Sequence, residues 1–514
     1  MLSFHSACIS QYNKGGRAVQ KIMRQGWLTR GWIGASVLSI VLACANVAHA
    51  QEPKAATSQP TAVPTLAAFP AGQLNSPRPL ESTTMEDILL EKGVITLDDW
   101  IRIKAEEEQR QSERSVVAEF TGSPRWYERM TMYGYGMMRY NNASNGRLRT
   151  YQDGSVGSAS DGAQPGFFFR RIRWVVTGQV SDHVSVFIQP DMASGSTASG
   201  FANTHVMSMR DAFGDWNFDK EKEHRLRVGL QRVPCSFDNW QASRVRMAID
   251  RADATNSCAN SERDLGLSYM WTPKVAQQRY KQMLDYMYGP GDYGVFHLAV
   301  YNGQGLNQAE TNNDKHVGLR LSWPWELPGG YLMETGMNAM RGQFSVNKGT
   351  AAAGTTLWST FDSGHASGKY LDERLNFYMY FPPQPFGFIT EYTFGRGPQR
   401  GHNGVIAESA LYGGYVQGHY QWKYSDVGLA NIYTRYQEYH GGIKFQTGAP
   451  DGTMKELETG IAWQPDPQWE FTVAYTFTQR NNLYNGTVGT STVPGQQLEA
   501  YGNLLRFQAV WFWN

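Results

Sequence analysis

Residues 168–180 read Phe168-Phe169-Arg170-Arg171-Ile172-Arg173-Trp174-Val175-Val176-Thr177-Gly178-Gln179-Val180. Taken alternately, one face carries Phe168, Arg170, Ile172, Trp174, Val176, Gly178 and Val180. The other carries Phe169, Arg171, Arg173, Val175, Thr177 and Gln179. A period of two is that of a β-strand. Later segments repeat it. Trp469, Phe471, Val473, Tyr475 and Phe477 alternate with Glu470, Thr472, Ala474, Thr476 and Thr478. The last segment sets Leu505, Phe507, Ala509, Trp511 and Trp513 against Arg506, Gln508 and Val510. From about residue 129 onward this period runs to the end of the chain.

The connections between these segments alternate in length. Tight ones are expected at Ser181-Asp182, from Asp219 to Glu223, around Pro324 to Pro328, at Pro382-Pro383-Gln384-Pro385, at Ser425-Asp426 and at Pro465-Asp466-Pro467. Long polar segments separate them at 141–164, 194–204, 234–262, 303–313, 346–369, 397–408, 438–454 and 481–498. One connection on the tight side, 273–292, is much longer than its neighbours. Short turns at one end and long loops at the other fit an outer-membrane barrel. Eight long segments imply sixteen strands with both termini on the short-turn side.

Strands of about ten residues, apolar on one face and polar on the other, suit a barrel with lipid outside and water inside. The sheet must close, because an open edge in lipid leaves N–H and C=O groups unpaired. Tyr and Trp near strand ends suit the interfacial girdles. A soluble β-sandwich or propeller would also alternate. The aromatic last strand, the asymmetric connections and the N-terminal segment weigh against it.

Composition agrees. The 514 residues include 53 Gly, 24 Phe, 27 Tyr and 16 Trp, with 18% charged, which leans to an all-β chain with many turns. A mean hydropathy of −0.47 excludes a polytopic helical membrane protein. Four Cys exclude a disulfide-dense scaffold, and a net charge of +1 leaves no footprint for nucleic acid.

Residues 1–50 contain no acid. They carry Lys14, Arg17, Lys21, Arg24 and Arg30, then the apolar stretch from Trp32 to Val47, then Ala48-His49-Ala50. A basic flank, a short apolar run and a small-residue exit make a secretory signal, cleaved after Ala50. A lipoprotein signal ending at Cys44 and an uncleaved anchor are the competing readings. Cleavage removes five positive charges and leaves 42 basic and 46 acidic residues, a net of −4. Cys235 and Cys258 are then the remaining cysteines, and export favours a disulfide between them over two free thiols.

Residues 51–83, rich in Pro, Ala and Thr, read as a linker. Residues 84–128 read as a short periplasmic helical extension. Thr84 with Asp87 and Thr96 with Asp99 have capping-box spacing. The extension is either a solvated helical pair or an oligomerisation element. Residues 129–514 form the barrel.

Several stretches resemble the phosphate-selective porin O/P family. They are Phe169-Arg170-Arg171-Ile172-Arg173, Met209-Arg210-Asp211-Ala212-Phe213, Arg263-Asp264-Leu265-Gly266, Val300-Tyr301-Asn302-Gly303-Gln304-Gly305 and Leu505-Arg506-Phe507-Gln508. The resemblance implies a sixteen-stranded, often trimeric outer-membrane channel with a basic pore that passes anions. The chain departs from the family at its Trp513-Asn514 end, where such barrels usually finish in Phe. It also has few Lys on the predicted lumen faces, whereas phosphate-specific members carry a Lys cluster.

Alternation places Arg171, Arg173, Arg225 and Arg227 on the face opposite the apolar one. Arg320, Arg374, Arg435 and Arg506 fall there too. Arg stays ionised, and its fork matches phosphate or carboxylate oxygens. Rings of Arg or Lys can build an anion pore. Arg244, Arg246 and Arg251 lie in the segment bounded by the two cysteines and would form a constriction if that loop folds inward. Glu334, Glu391, Glu456, Glu458 and Glu470 come from later strands, so a basic wall facing an acidic wall is expected.

Enzyme signatures are weak. Gly289-Pro290-Gly291-Asp292-Tyr293-Gly294 matches G-x-G-x-x-G but precedes a strand and reads as a turn. Residues 51–514 have no H-E-x-x-H, C-x-x-C or G-x-S-x-G. His183, His224 and His297 stand singly near strand starts. The sequence therefore predicts an all-β transmembrane antiparallel barrel of about sixteen strands with a short N-terminal helical extension. Its expected task is passive diffusion of small hydrophilic solutes, anions such as phosphate foremost, with no catalysis, metal or cofactor. Outer-membrane lipid, small anionic solutes and copies of itself in a homotrimer are the expected partners. A general or cation-preferring porin, and a plugged barrel acting as adhesin or outer-membrane enzyme, are the alternatives.

Overall fold

The computed structural model describes residues 125–144, 166–193, 207–284, 289, 291–348, 359–424, 428–483 and 497–513, together with Leu89, Lys92, Thr96, Asp99, Ile103 and Glu106. The signal segment, the linker and the Thr84–Asp87 box lie outside the described residues. The second box is formed. The Thr96 N–H donates to Asp99 Oδ2 at 3.3 Å, and the Asp99 N–H donates to Thr96 Oγ1 at 3.2 Å.

A single sheet contains the strands. Setting aside the two-residue strand Thr360–Phe361, sixteen antiparallel strands close on themselves. They are β1 (Met130–Ala143), β2 (Gly166–Gln179), β3 (Val184–Asp191), β4 (Ser208–Asn217), β5 (His224–Arg232), β6 (Arg263–Trp271), β7 (Phe296–Tyr301) and β8 (His316–Glu326). The second half is β9 (Leu332–Ser345), β10 (Lys369–Phe381), β11 (Phe386–Arg400), β12 (Val405–Tyr424), β13 (Gly428–Gly442), β14 (Asp451–Asp466), β15 (Trp469–Leu483) and β16 (Gln497–Trp513). Each strand pairs with its sequence neighbours, and β1 pairs with β16 from Gly134↔Trp513 to Ala143↔Leu504. Closure leaves no open edge in the membrane.

The closing seam explains two glycines. A Cβ at Gly136 would lie 2.0 Å from the Trp511 ring, and one at Gly134 2.6 Å from the Trp513 ring. The Tyr133-Gly134-Tyr135-Gly136 run therefore leaves flat backbone on which the indoles of the last strand lie, a pairing that pins register.

Burial is inverted relative to a soluble protein. Phe167, Phe169, Trp174, Val228, Leu265, Leu298, Phe394, Ile461 and Val473 face outward and are exposed. Arg139, Arg173, Arg320, Arg435, Arg506, Glu334 and Glu458 are buried inside. The wall is uneven in height. Strands β3 to β7 hold 6 to 10 residues, and β9 to β16 hold 13 to 20.

Three sequence expectations change. Phe169 is on the outer surface, not beside Arg171. The register steps from Met137↔Arg171 to Met138↔Phe169, so Arg170 is the extra residue of a β-bulge and the alternation flips there. Second, the segment expected as a long loop at 397–408 shrinks to a turn, because β11 runs to Arg400 and β12 starts at Val405. Its polar residues stay in the ladder and pair across the outer surface, as Arg396 with Glu408 at 3.4 Å. The 438–454 segment likewise contracts to 443–450. Third, Pro324 and Pro465 lie inside strand ends. Pro465 falls in a register irregularity between Trp463 and Asp466, where a missing N–H is tolerated.

Candidate functional site

The segment between β5 and β6, residues 233–262, folds into the barrel. Cys235 and Cys258 are disulfide-bonded at its base, Cα to Cα 6.4 Å. Two short helices, α1 (Phe237–Trp240) and α2 (Asp253–Asn256), organise it. A buried loop must find partners for its backbone, and the far wall supplies them. Glu391 on β11 accepts from the N–H groups of Phe237 at 2.6 Å and Asp238 at 3.1 Å. Gln437 Oε1 accepts from the Asp253 N–H at 3.1 Å, and Glu458 Oε1 from the Ile249 N–H at 3.3 Å. Ser236 Oγ caps the Asn239 N–H at 3.1 Å. Phe237 and Ala252 pack on Tyr378, Tyr380 and Tyr415. Full burial of one such ring contributes about 1.5–3 kcal/mol.

Ion pairs fasten the loop. Asp250 bridges Arg139 at 3.2 Å and Arg506 at 2.6 Å, and Arg506 continues to Glu458. Asp253 receives Arg480 at 2.6 Å, and Arg480 reaches Glu456 at 3.0 Å. Burial alone would raise the Asp250 carboxyl, but Arg139 and Arg506 outweigh it and hold it well below the usual range. Asp253 goes the other way. Burial pushes it up to about 6, with Arg480 opposing and Glu456 adding to the rise. Within the loop Arg251 pairs with Glu262 at 2.5 Å. Burial again disfavours the charge on Glu262, and Arg251 with Arg263 still keeps that carboxyl below its ordinary range.

Most arginines singled out from the sequence are neutralised by neighbours. Arg173 pairs with Asp191 at 2.8 Å, Arg227 with Asp215 at 2.6 Å and Arg225 with Asp292 at 2.9 Å. Arg320 pairs with Glu334 at 2.5 Å. Arg374 pairs with Asp372 at 3.2 Å and donates to Ser257 Oγ at 2.6 Å. The expected basic wall facing an acidic wall is thus corrected. The early strands bring their own acids, Asp191, Asp211 and Asp215, and the later glutamates face later arginines or the loop's backbone. Glu470 accepts from Gln464 Nε2 at 3.1 Å.

Two arginines of that set have no carboxylate within 4.0 Å among the described residues. Arg435 lies 5.7 Å from the Tyr415 ring, with Glu458 and Asp238 the nearest opposite charges. Arg171 is 2% exposed, and the contact its guanidinium makes is Nη1 to Met137 Sδ at 3.5 Å. The charges that act on it most strongly are Arg170, Arg173 and Arg246, with Asp191 and Glu262 acting more weakly. The bulge brings Arg170 to this place. Arg246, from the folded loop, spends Nε and Nη2 on the carbonyls of Ala248 at 3.1 Å and Ile249 at 3.0 Å. Arg171 Nε and Arg246 Nη1 are buried without a protein partner. Arg244, the third loop arginine, is half-buried over the Tyr133 ring at 5.7 Å.

Sequence reasoning passed over Arg139, Arg170, Arg480 and Asp250. Arg139 and Arg480 could have been found, since each continues a lumen-facing alternation, Tyr135-Met137-Arg139 and Thr476-Thr478-Arg480. No local signal marks the bulge at Arg170 or the target of Asp250.

A family model described as phosphate-selective porin O and P matches residues 149–491. No curated protein matches the chain in sequence. Among solved structures it is similar to the trimer form of OmpT, an outer membrane protein of Vibrio cholerae, at 10% identity and a TM-score of 0.45, over 75% of this chain and 99% of that one. It is similar to an anion-selective porin from Comamonas acidovorans at 11% identity and a TM-score of 0.43, over 75% and 99%. It is also similar to Salmonella typhi OmpF in complex with daunomycin, at 11% identity and a TM-score of 0.41, over 75% and 97%. With the family model spanning well over half of its length, the chain belongs to the phosphate-selective porin O and P family, and it is an outer-membrane channel for passive diffusion.

Proposed function

We propose that the channel favours small anions, oxyanions such as phosphate foremost, and that Arg171 with Arg170 and Arg246 draws them into the constriction. The observation that carries this is that Arg171 has no carboxylate within 4.0 Å among the described residues. The strongest charges on Arg171 are guanidinium groups, Asp191 and Glu262 act more weakly, and the buried Arg171 Nε and Arg246 Nη1 have no protein acceptor. A guanidinium excess in a narrow, low-dielectric space attracts an anion, and Arg forks match its oxygens. The pull must stay modest, because conduction requires release as well as entry. No covalent step or turnover is involved. The neutralised arginines at 173, 225, 227, 320, 374 and 506 then hold shape and contribute little to selection. The chain is exported with cleavage after Ala50, assembles as a homotrimer, and carries residues 84–128 as a periplasmic extension.

A planar-bilayer recording tests the anion reading. In a KCl gradient the reversal potential should have the sign of a chloride-preferring pore, and added phosphate should reduce the chloride current. Arg171→Glu should move the reversal potential toward that of potassium. An unchanged reversal potential in that variant would assign the cluster a structural role only. The pairing of the other arginines supports a second reading, general diffusion, whose signature is a reversal potential near zero in the wild type.

A further inference from the structure

The connection between β6 and β7 lies at the short-turn end, yet spans residues 272–295. It contains an 11-residue helix, α3 (Lys274–Leu284), with the sequence KVAQQRYKQML. Ala276, Tyr280 and Met283 stand at helical spacing and are buried, while Lys274, Gln278, Lys281 and Gln282 are exposed. The buried stripe packs on Val295 and Leu332. The Tyr280 hydroxyl is 2.9 Å from Ser322 Oγ and 3.5 Å from Glu334 Oε1.

Those two partners fix where the helix sits. On β8, Val317 and Leu321 are exposed to the outside, while Arg320 and Ser322 are buried within. Glu334 pairs with Arg320 and accepts from the Tyr378 hydroxyl at 2.7 Å, so it faces the lumen too. A helix whose tyrosine reaches both is seated against the inner wall at the short-turn mouth and does not hang beneath it. Arg279 Nη1 donates to the Pro324 carbonyl at 3.1 Å, and Gln277 Nε2 to the carbonyls of Thr272 at 3.0 Å and Glu221 at 3.1 Å. These bonds tie the helix to β8 and to the β4–β5 turn.

We infer that α3 is a second constriction of this channel, at the mouth opposite the long loops, and that Tyr280 is the residue that positions it. A helix with its side chains is about 10 Å across, a large obstacle in one mouth of the pore. Its Lys274 and Arg279 pair with Glu221 at 3.4 Å and Glu326 at 3.5 Å, so the obstacle acts by its bulk rather than by charge. A solute crossing the Arg171 constriction meets it on the way out. The inference rests on the chain's being an open, conducting barrel.

The test replaces residues 274–284 by a Gly/Ser segment of equal length, leaving Thr272 and Asp292 intact. Single-channel conductance in KCl should rise roughly 1.5-fold or more, because an element about 10 Å wide has left the mouth. The reversal potential should change less than in Arg171→Glu. Unchanged conductance in a replaced barrel that still inserts overturns the inference. If that barrel fails to insert, Tyr280→Ala asks the same question in the intact chain. A rise in conductance and open-state noise supports the positioning role, and wild-type values for both overturn it. Tyr280→Phe, which keeps the ring and loses the hydroxyl, should fall between. A wild-type protein that carries no current contradicts the channel reading itself, a result separate from either outcome.

Discussion

Arg506 and Arg171 are both lumen-facing arginines on neighbouring stretches of the wall, and both are buried, yet their surroundings are opposite. Arg506 sits between Asp250 of the folded loop and Glu458 of β14, with Arg139 sharing the same aspartate. Arg171 sits among Arg170, Arg173 and Arg246. The first is a fastening, and the second is the proposed site of attraction. Residue type and strand face are the same in both, so neither decides the role. What decides it is whether a carboxylate was delivered to the same place, and at Arg506 it is delivered by a loop far away in sequence.

The sharpest way to break this comparison is to remove the fastening. Arg506→Ala leaves Asp250 short of a partner and Glu458 buried without its guanidinium, so it should cost about 3–5 kcal/mol. A much lower melting temperature of the folded barrel is the expected reading. A loss within error would mean that the loop is held by its other contacts alone. Reducing the Cys235–Cys258 disulfide should cost about 2–4 kcal/mol, since it closes the base of the same loop. Differential scanning with and without reductant measures it, and an equal stability in both would place the fastening wholly in the ion pairs.

The pH response separates the two aspartates. Asp253 has a folded pKa of about 6, above the ordinary carboxylate value. Its contribution to docking is therefore complete below that ordinary value and fades as pH rises through about 6. Asp250 is held low, so its contribution is complete above the ordinary range and fades only as pH falls below it. Between pH 7 and pH 5 the loop should stay docked and tighten, by no more than about 2–3 kcal/mol. Hydrogen exchange of the Ile249 and Asp253 amides at the two pH values checks the sign. Faster exchange at pH 5 would show that the loop is released by acid.

The smallest stability change should come from the attraction site. Arg171→Ala removes a buried charge that makes no direct ion pair, so stability should hold within about 1 kcal/mol or rise. A large loss there would show that Arg171 is structural.

Much of this architecture is legible in the chain. The period-two alternation, the aromatic last strand and the unequal connections are local signals, and they give sixteen strands and the lumen face of Arg173, Arg320 and Arg506. The errors have a common cause. Simple alternation puts Phe169 on the lumen face, because a bulge inserts a residue without changing composition. Glu408 falls in a segment that reads as loop, because polar residues that pair across the outer surface near a strand end, here with Arg396, look like solvent-exposed ones. Ion-pair partners such as Asp250 for Arg506 lie 256 residues apart, and no spacing rule reaches that far. The glutamates of the late strands looked like an acidic wall. They are the acceptors and counter-charges that let a polar loop lie inside the barrel.

The most direct measurement is the reversal potential of the purified channel in a KCl gradient, recorded for the wild type, Arg171→Gln and Arg173→Gln under one salt condition. The expected result is an anion-preferring wild type whose preference drops clearly in Arg171→Gln and changes less in Arg173→Gln, whose charge Asp191 already offsets. Equal shifts in the two variants, or none in Arg171→Gln, would contradict the assignment of attraction to the arginine without a carboxylate partner.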